Sequence, residues 1–319
     1  MTIRPILRAF AFGAPAAVAL FAAGAAQAQP FDVQQFHPGP SLRTSFFDLP
    51  APEILGHKMW EAGLMLDYAR SPLVVDPPAG EIEDIVGGQL TSAFSFALGI
   101  KDRLQLGLVL PLILAQPGDD IPALRESNAP DPGFGVGDVR VAAAVQILSP
   151  DEDGGVGLGV ELPVWLPTGD VESYQGDGAA RFEPRIVAGY TLASGIRFGG
   201  SLGYQIRRAA IVENVDVDDT LTFGVGGGVP VGPVELIAEL TGESRFGVDN
   251  TTGEEVPLAT NFGVRHEADS GIMVQGGMGV GLNEGFGTPR YRFFFGVSYG
   301  GEERAELPPP PPPAPAPEP

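Results

Sequence analysis

Cysteine is missing altogether, histidine occurs three times and tryptophan twice, and 19 lysines and arginines face 40 aspartates and glutamates. Each shortage excludes something. Without cysteine there is neither a disulfide framework nor a thiolate metal site. The three histidines, His37, His57 and His266, are dispersed, and no H-E-x-x-H or G-x-S-x-G pattern accompanies them. Zinc-peptidase and serine-hydrolase chemistry therefore lack their residues. A net charge of −21 argues against nucleic acid, whose phosphates need a basic surface. Glycines crowd between Gly224 and Gly228, but no Lys-Ser/Thr follows as a phosphate loop requires, so no nucleotide cofactor is expected and no metal either. Past the N-terminal leader no run approaches the roughly 18 apolar residues of a membrane helix. If the mature chain enters a membrane, it does so as strands.

The leader itself has Arg4 and Arg8, then an Ala/Phe/Leu run, then Ala26-Gln27-Ala28, the small-x-small pattern of a signal peptidase site. Residues 1–28 are thus expected to be a signal peptide, and the chain to be exported. Its removal deletes two arginines and no acid, making the remainder more acidic still. The acids gather in Asp119-Asp120, Asp151-Glu152-Asp153, Asp216 to Asp219 and Glu254-Glu255, between the apolar rows rather than within them, as solvated loops would have them.

Residues 29–56 are rich in proline and polar groups with no sustained period, an irregular segment that lines or plugs whatever follows. From 57 to 300 one pattern recurs: apolar side chains at every second position. Trp60, Ala62, Leu64, Leu66 and Tyr68 begin it; Leu104, Leu106, Leu108, Leu110 and Leu112 repeat it; Tyr291, Phe293, Phe295, Val297 and Tyr299 end it. Twelve such rows can be counted, joined by connections that alternate between short (Lys101-Asp102-Arg103, Gly232-Pro233) and long (roughly 115 to 136). This predicts an all-β fold, an antiparallel up-and-down barrel of about twelve strands crossing the bacterial outer membrane, with the apolar rows in lipid. An even strand number with short periplasmic turns places both termini in the periplasm.

If the apolar rows meet lipid, the other face lines the lumen. It carries Glu61, Asp67, Asp138, Arg140, Glu161, Arg181, Glu183, Arg185, Arg197, Arg207, Glu235, Glu239, Arg265, Glu267 and Arg292. Such a set is either a structural network of ion pairs filling the barrel or the lining of a narrow selective pore. Inward glycines such as Gly157, Gly159, Gly224 and Gly226 either accommodate bulky partners or leave space.

The closing run Phe295-Gly296-Val297-Ser298-Tyr299, a charged patch, and the proline-rich residues 301–319 resemble the end of the barrel and the linker of the OmpA family. Gly135-Val136-Gly137-Asp138-Val139-Arg140 and Leu166-Pro167-Thr168-Gly169-Asp170 are similar to segments of larger OmpA-like barrels. The resemblance implies that Phe295, Val297 and Tyr299 act as a signal to the barrel-assembly machinery. The peptidoglycan-binding domain of that family has no counterpart here. The function expected on these grounds is non-enzymatic: a structural, envelope-organising barrel whose periplasmic tail meets the cell wall or a periplasmic protein. The alternative is a passive pore for small solutes through a charged lumen.

Overall fold

The period of two closes into a wall. In the computed structural model, which describes residues 31–75, 83–118, 133–150, 154–212, 215–245, 256–283 and 285–301, the rows form twelve long strands. They are β1 Trp60–Val75, β2 Glu83–Ile100, β3 Leu104–Ala115, β4 Val139–Leu148, β5 Gly155–Leu166 and β6 Arg185–Thr191 in the first half. In the second are β7 Arg197–Gln205, β8 Thr220–Val231, β9 Val234–Ser244, β10 Leu258–Glu267, β11 Ile272–Gly281 and β12 Tyr291–Gly301. Each pairs antiparallel with its neighbours in the chain, and β12 pairs with β1 from Trp60↔Gly301 to Arg70↔Tyr291. Closure leaves no open edge among them, which a sheet in hydrocarbon requires. Short strands decorate the long-loop end: Gly135–Val136 on β3, Arg181–Phe182 on β5, and the hairpin of Ala210–Val212 with Val215–Val217. The expected signal peptide and proline-rich tail lie outside the described residues, as do the acidic clusters at 119, 151 and 254.

The wall is polar inside and apolar outside. Leu108 and Phe295 are 44% and 55% exposed, whereas Glu61 and Glu239, on the opposite face, are 0% and 2% exposed. Lipid supplies the missing cover for the outer rows. Aromatic rings mark the ends of the apolar band: Trp60 meets Tyr299 at the short-turn end, with centroids 5.7 Å apart, and Tyr68 meets Tyr291 at the long-loop end, 6.5 Å apart. Eight residues of β1 separate Trp60 from Tyr68, about 27 Å of strand before tilt, close to the ~25 Å band of an outer-membrane barrel.

The irregular N-terminal segment fills the lumen. Phe31 packs edge-on against Phe286 among the long loops, with ring centroids 5.3 Å apart. At the other mouth the Lys58 amide donates to the Gly99 carbonyl beside the β2–β3 turn. Between these points the chain doubles back at a bridge between Ser45 and Pro50. Its Phe36, Leu42, Phe46, Phe47 and Leu49 are all buried, in a cluster with Met65, Val109, Ile237, Met273 and Phe294 of the wall. Phe31 and Gly301 consequently lie at opposite mouths, whereas the strand count alone placed both ends of the chain on one side. The difference is the length of the lumen, which residues 31–59 traverse before the first strand begins.

A plugged lumen as the candidate functional site

An irregular backbone inside a barrel needs partners for its N–H and C=O groups, and the inward side chains of the wall supply them. The Glu239 carboxylate accepts the amides of Phe47 (2.9 Å), Asp48 (3.0 Å) and Leu49 (3.1 Å), and the Asn261 side chain at 2.8 Å. Glu61 accepts the Ser41 hydroxyl and the Leu42 amide (3.1 Å). Arg140 donates to the carbonyls of His37 (3.0 Å) and Pro38, and Arg265 to those of Ser45 (2.8 Å) and Phe46. Gln105 accepts the Leu55 amide at 2.9 Å, and Gln146 donates to the Pro52 carbonyl at 3.2 Å. These side chains bind the segment rather than water.

Inward glycines mark where that segment touches the wall. A Cβ on Gly157 would lie 2.6 Å from the Pro52 ring, and one on Gly224 2.6 Å from a Leu49 methyl. Gly107 faces Pro40 and Gly199 faces Phe46 in the same way. Of the two readings open from the sequence, accommodation of bulky partners holds at these positions, and the partners come chiefly from the N-terminal segment.

The remaining charged side chains pair with one another. Arg292 reaches Asp67 at 2.9 Å; Arg185 lies between Glu183 (3.1 Å) and Glu161 (3.5 Å); Glu235 holds Arg197 (3.0 Å) and Arg265 (3.6 Å). Glu267 stands apart from the lumen: its side chain is half exposed at the short-turn rim, where Arg43 of the segment pairs with it. Asp138, Arg181 and Arg207 gather at the long-loop mouth. There Arg181 is flanked by Asp32 (3.5 Å) and Asp177 (3.3 Å), Arg207 also pairs with Asp177, and the Arg181 guanidinium stacks 4.3 Å above the Trp165 ring. Burial, reinforced by Asp177 and Asp138 and opposed by Arg181, pushes the Asp32 carboxyl up to about 7. Asp32, Arg43 and Asp48 were not singled out in the sequence, since all three sit in the stretch without periodicity. The four phenylalanines of that stretch, among 19 in the chain, were the available sign that it is buried.

Asp138 also explains two sequence motifs at once. Its carboxylate accepts the amides of Thr168 (3.0 Å), Gly169 (2.8 Å) and Asp177 (3.0 Å), while the Thr168 hydroxyl donates to the Gly137 carbonyl and accepts the Val139 amide. Gly135 to Arg140 and Leu166 to Asp170 are thus two halves of one clasp that ties the β5–β6 loop to the start of β4.

Space remains beside the segment. A cavity of about 70 Å³ opens in the long-loop half, bordered by Pro50, Arg185, Thr222, Phe223, Leu258 and Arg292. A second, about 30 Å³, lies in the short-turn half between Pro50 and the wall at Ala144, Gly159, Glu161 and Val187. Both exceed the ~10–15 Å³ that one water needs on this measure.

The fold has solved counterparts among outer-membrane barrels. An outer membrane channel from Pseudomonas putida F1 superposes with a TM-score of 0.55 at 16% identity, over 78% of this chain and 97% of the channel. The NanC porin superposes with a TM-score of 0.51 at 9% identity, over 75% of this chain and 98% of the porin. No curated protein matches the chain. A family model does, over residues 84–285, well over half the chain, and it takes in both halves of the Asp138 clasp, two of the segments that carried the likeness to OmpA. That likeness is therefore overturned: the short motifs serve a local hydrogen-bonding need, and the aromatic last strand serves the lipid interface. The protein is an outer-membrane β-barrel, and it belongs not with OmpA but to the family described as "Putative MetA-pathway of phenol degradation".

Proposed function

We propose that the barrel is a passive, non-enzymatic channel for small solutes, narrowed by its own N-terminal segment. This replaces the structural, envelope-organising role as the main reading. The observation that carries it is the pair of cavities in the two halves of the lumen, with Pro50 bordering both. A wall built only for rigidity would gain by packing that space, since voids forfeit contacts. The family's description supports a phenolic solute. The larger cavity suits such a molecule, with Leu49 and Pro50 of the segment on one side and Thr222 and Arg185 of the wall on another.

In this reading the short turns face the periplasm, with Gly301 on that side and Phe31 near the outer mouth. Phe295, Val297 and Tyr299, on the last strand, serve as the signal to the assembly machinery. The tail beyond Gly301 reaches toward the cell wall or a periplasmic protein.

Refolded protein in planar bilayers tests the proposal. Small, steady currents are expected from the intact chain, and much larger ones after deletion of residues 31–56. Uptake of phenol into liposomes should rise with the same deletion. A bilayer that stays silent with both proteins, although each is folded by circular dichroism, would return the barrel to a structural role.

A further inference from the structure

The lumen is not filled evenly, and the unevenness defines a route. The upper cavity touches β6 at Arg185, β7 at Gln205, β8 at Thr222, β9 at Glu243, β10 at Leu258 and β12 at Arg292, all toward the long-loop ends of their strands, and reaches mid-strand on β7 at Ser201. The lower one touches β3 at Gln105, β4 at Ala144 and β5 at Gly159, toward the short turns, and β6 at Val187, two residues from Arg185. Two features lie where they approach each other. Pro50 borders both cavities, and the ion pair between Arg185 of the upper cavity and Glu161 of the lower one, 3.5 Å long, bridges them along the wall. A third cavity of about 20 Å³, beneath Trp165, shares no lining residue with the lower one. Opposite, the segment is held by close apolar contact: Phe294 lies 4.7 Å from Phe47 and 5.3 Å from Phe36, centroid to centroid.

Resting on the channel reading, we infer that solute passes along the β4–β7 side of the lumen, between that wall and residues 48–53, and that Arg185 with Glu161 is the selective constriction. The upper cavity is prepared for a polar guest. The side-chain amide nitrogen of Gln35 and the hydroxyl of Thr288, both buried at its edge, have no hydrogen-bond partner in the protein. Unmade bonds of this kind are costly unless water or a solute satisfies them. At the constriction one cation sits between two carboxylates, Glu161 and Glu183, so the pair presents a slight negative excess. A neutral hydroxylated solute passes such a site at less cost than an anion. Removing the arginine would leave two carboxylates facing the route, a ring of one sign that favours cations.

The absence of native cysteine makes the test direct. Ala144→Cys, and separately Val187→Cys should the first fail to fold, is treated with a small methanethiosulfonate reagent while single-channel current is recorded. Severalfold loss of current on labelling is expected, with no change for Ile237→Cys on the packed side. Arg185→Gln should move the reversal potential in a salt gradient toward cation selectivity, and Arg185→Lys should restore it. Undiminished current through channels shown by mass spectrometry to be labelled at position 144 or 187 overturns the route while leaving the channel standing. A reversal potential unmoved by Arg185→Gln overturns the constriction. No current from the intact protein overturns the route, and silence of the residue 31–56 deletion as well removes the channel reading with it.

Discussion

Where β11, β12 and β1 face the N-terminal segment, Met273, Phe294 and Met65 meet Phe36, Phe46 and Phe47 in a cluster of buried apolar side chains; where β4, β5 and β6 face it, Ala144, Gly159 and Val187 border a cavity. The same segment is thus packed on one side, while on the other a cavity opens beside the contact of Pro52 with Gly157. A plug loose all round would not hold its place, and one packed all round would seal the barrel. The contrast suggests a division of labour, in which one wall anchors and the other conducts. Hydrogen bonds are spread over both sides. Glu239 of β9 accepts three consecutive backbone amides, while on β4 Arg140 donates to the carbonyls of His37 and Pro38 and Gln146 to that of Pro52.

The sharpest way to break this comparison is Phe294→Ala. It removes a ring that touches both Phe36 and Phe47, and should cost about 3 to 5 kcal/mol in denaturant unfolding from detergent micelles. A loss under 1 kcal/mol would mean that the apolar side does not anchor the segment. The outer face sets the scale: Leu108→Arg, near mid-membrane, should cost about 2 to 4 kcal/mol in the same assay. Glu239→Ala comes next, at about 1.5 to 3 kcal/mol for hydrogen bonds to a charged acceptor, with faster amide exchange at Phe47, Asp48 and Leu49. Gln146→Ala should cost about 0.5 to 1.5 kcal/mol; if it loosens the segment as much as Glu239→Ala does, the anchoring is symmetric.

The smallest effect concerns pH at the long-loop mouth. The Asp32 carboxyl, raised from 3.8 to about 7 chiefly by burial, is protonated in the folded protein over a range where the unfolded chain has lost the proton. A raised folded pKa contributes stability that is complete below the unfolded value and is lost as pH rises through the folded one. Amides near Asp32 should therefore exchange more slowly at pH 5 than at pH 8, beyond the intrinsic rate difference. Asp32→Asn should flatten that dependence, and an unchanged slope would show that another group governs the mouth.

How much of this was legible beforehand depends on the range of the interaction. The rows from Trp60 to Tyr299 could be read because a strand half in lipid repeats every two residues, a signal complete within a few positions of chain. The strand count and the alternation of connections came with it. Glu61 and Glu239 could be placed on the inner face for the same reason. What they do there could not, since the amide of Phe47 and the carboxylate that accepts it are 192 positions apart. The family assignment from short motifs failed for a related reason: Asp138 and Thr168 look like scattered turn residues until the clasp between them is seen. The segment before β1 gave least of all, because a chain held by side chains on many strands need show no period of its own.

Sequence alone settled which face of each strand meets lipid, since that choice is made residue by residue against a uniform solvent. Only the closed tertiary structure decided what occupies the lumen. Whether an inward glycine is a gap or a contact, and whether an inward carboxylate meets water, a guanidinium or a backbone amide, depends on which distant residues the barrel brings around it. On one side it brought Phe36 and Phe47, and the lumen is packed; on the other it left Arg185, Glu161 and Pro50 around the space between them.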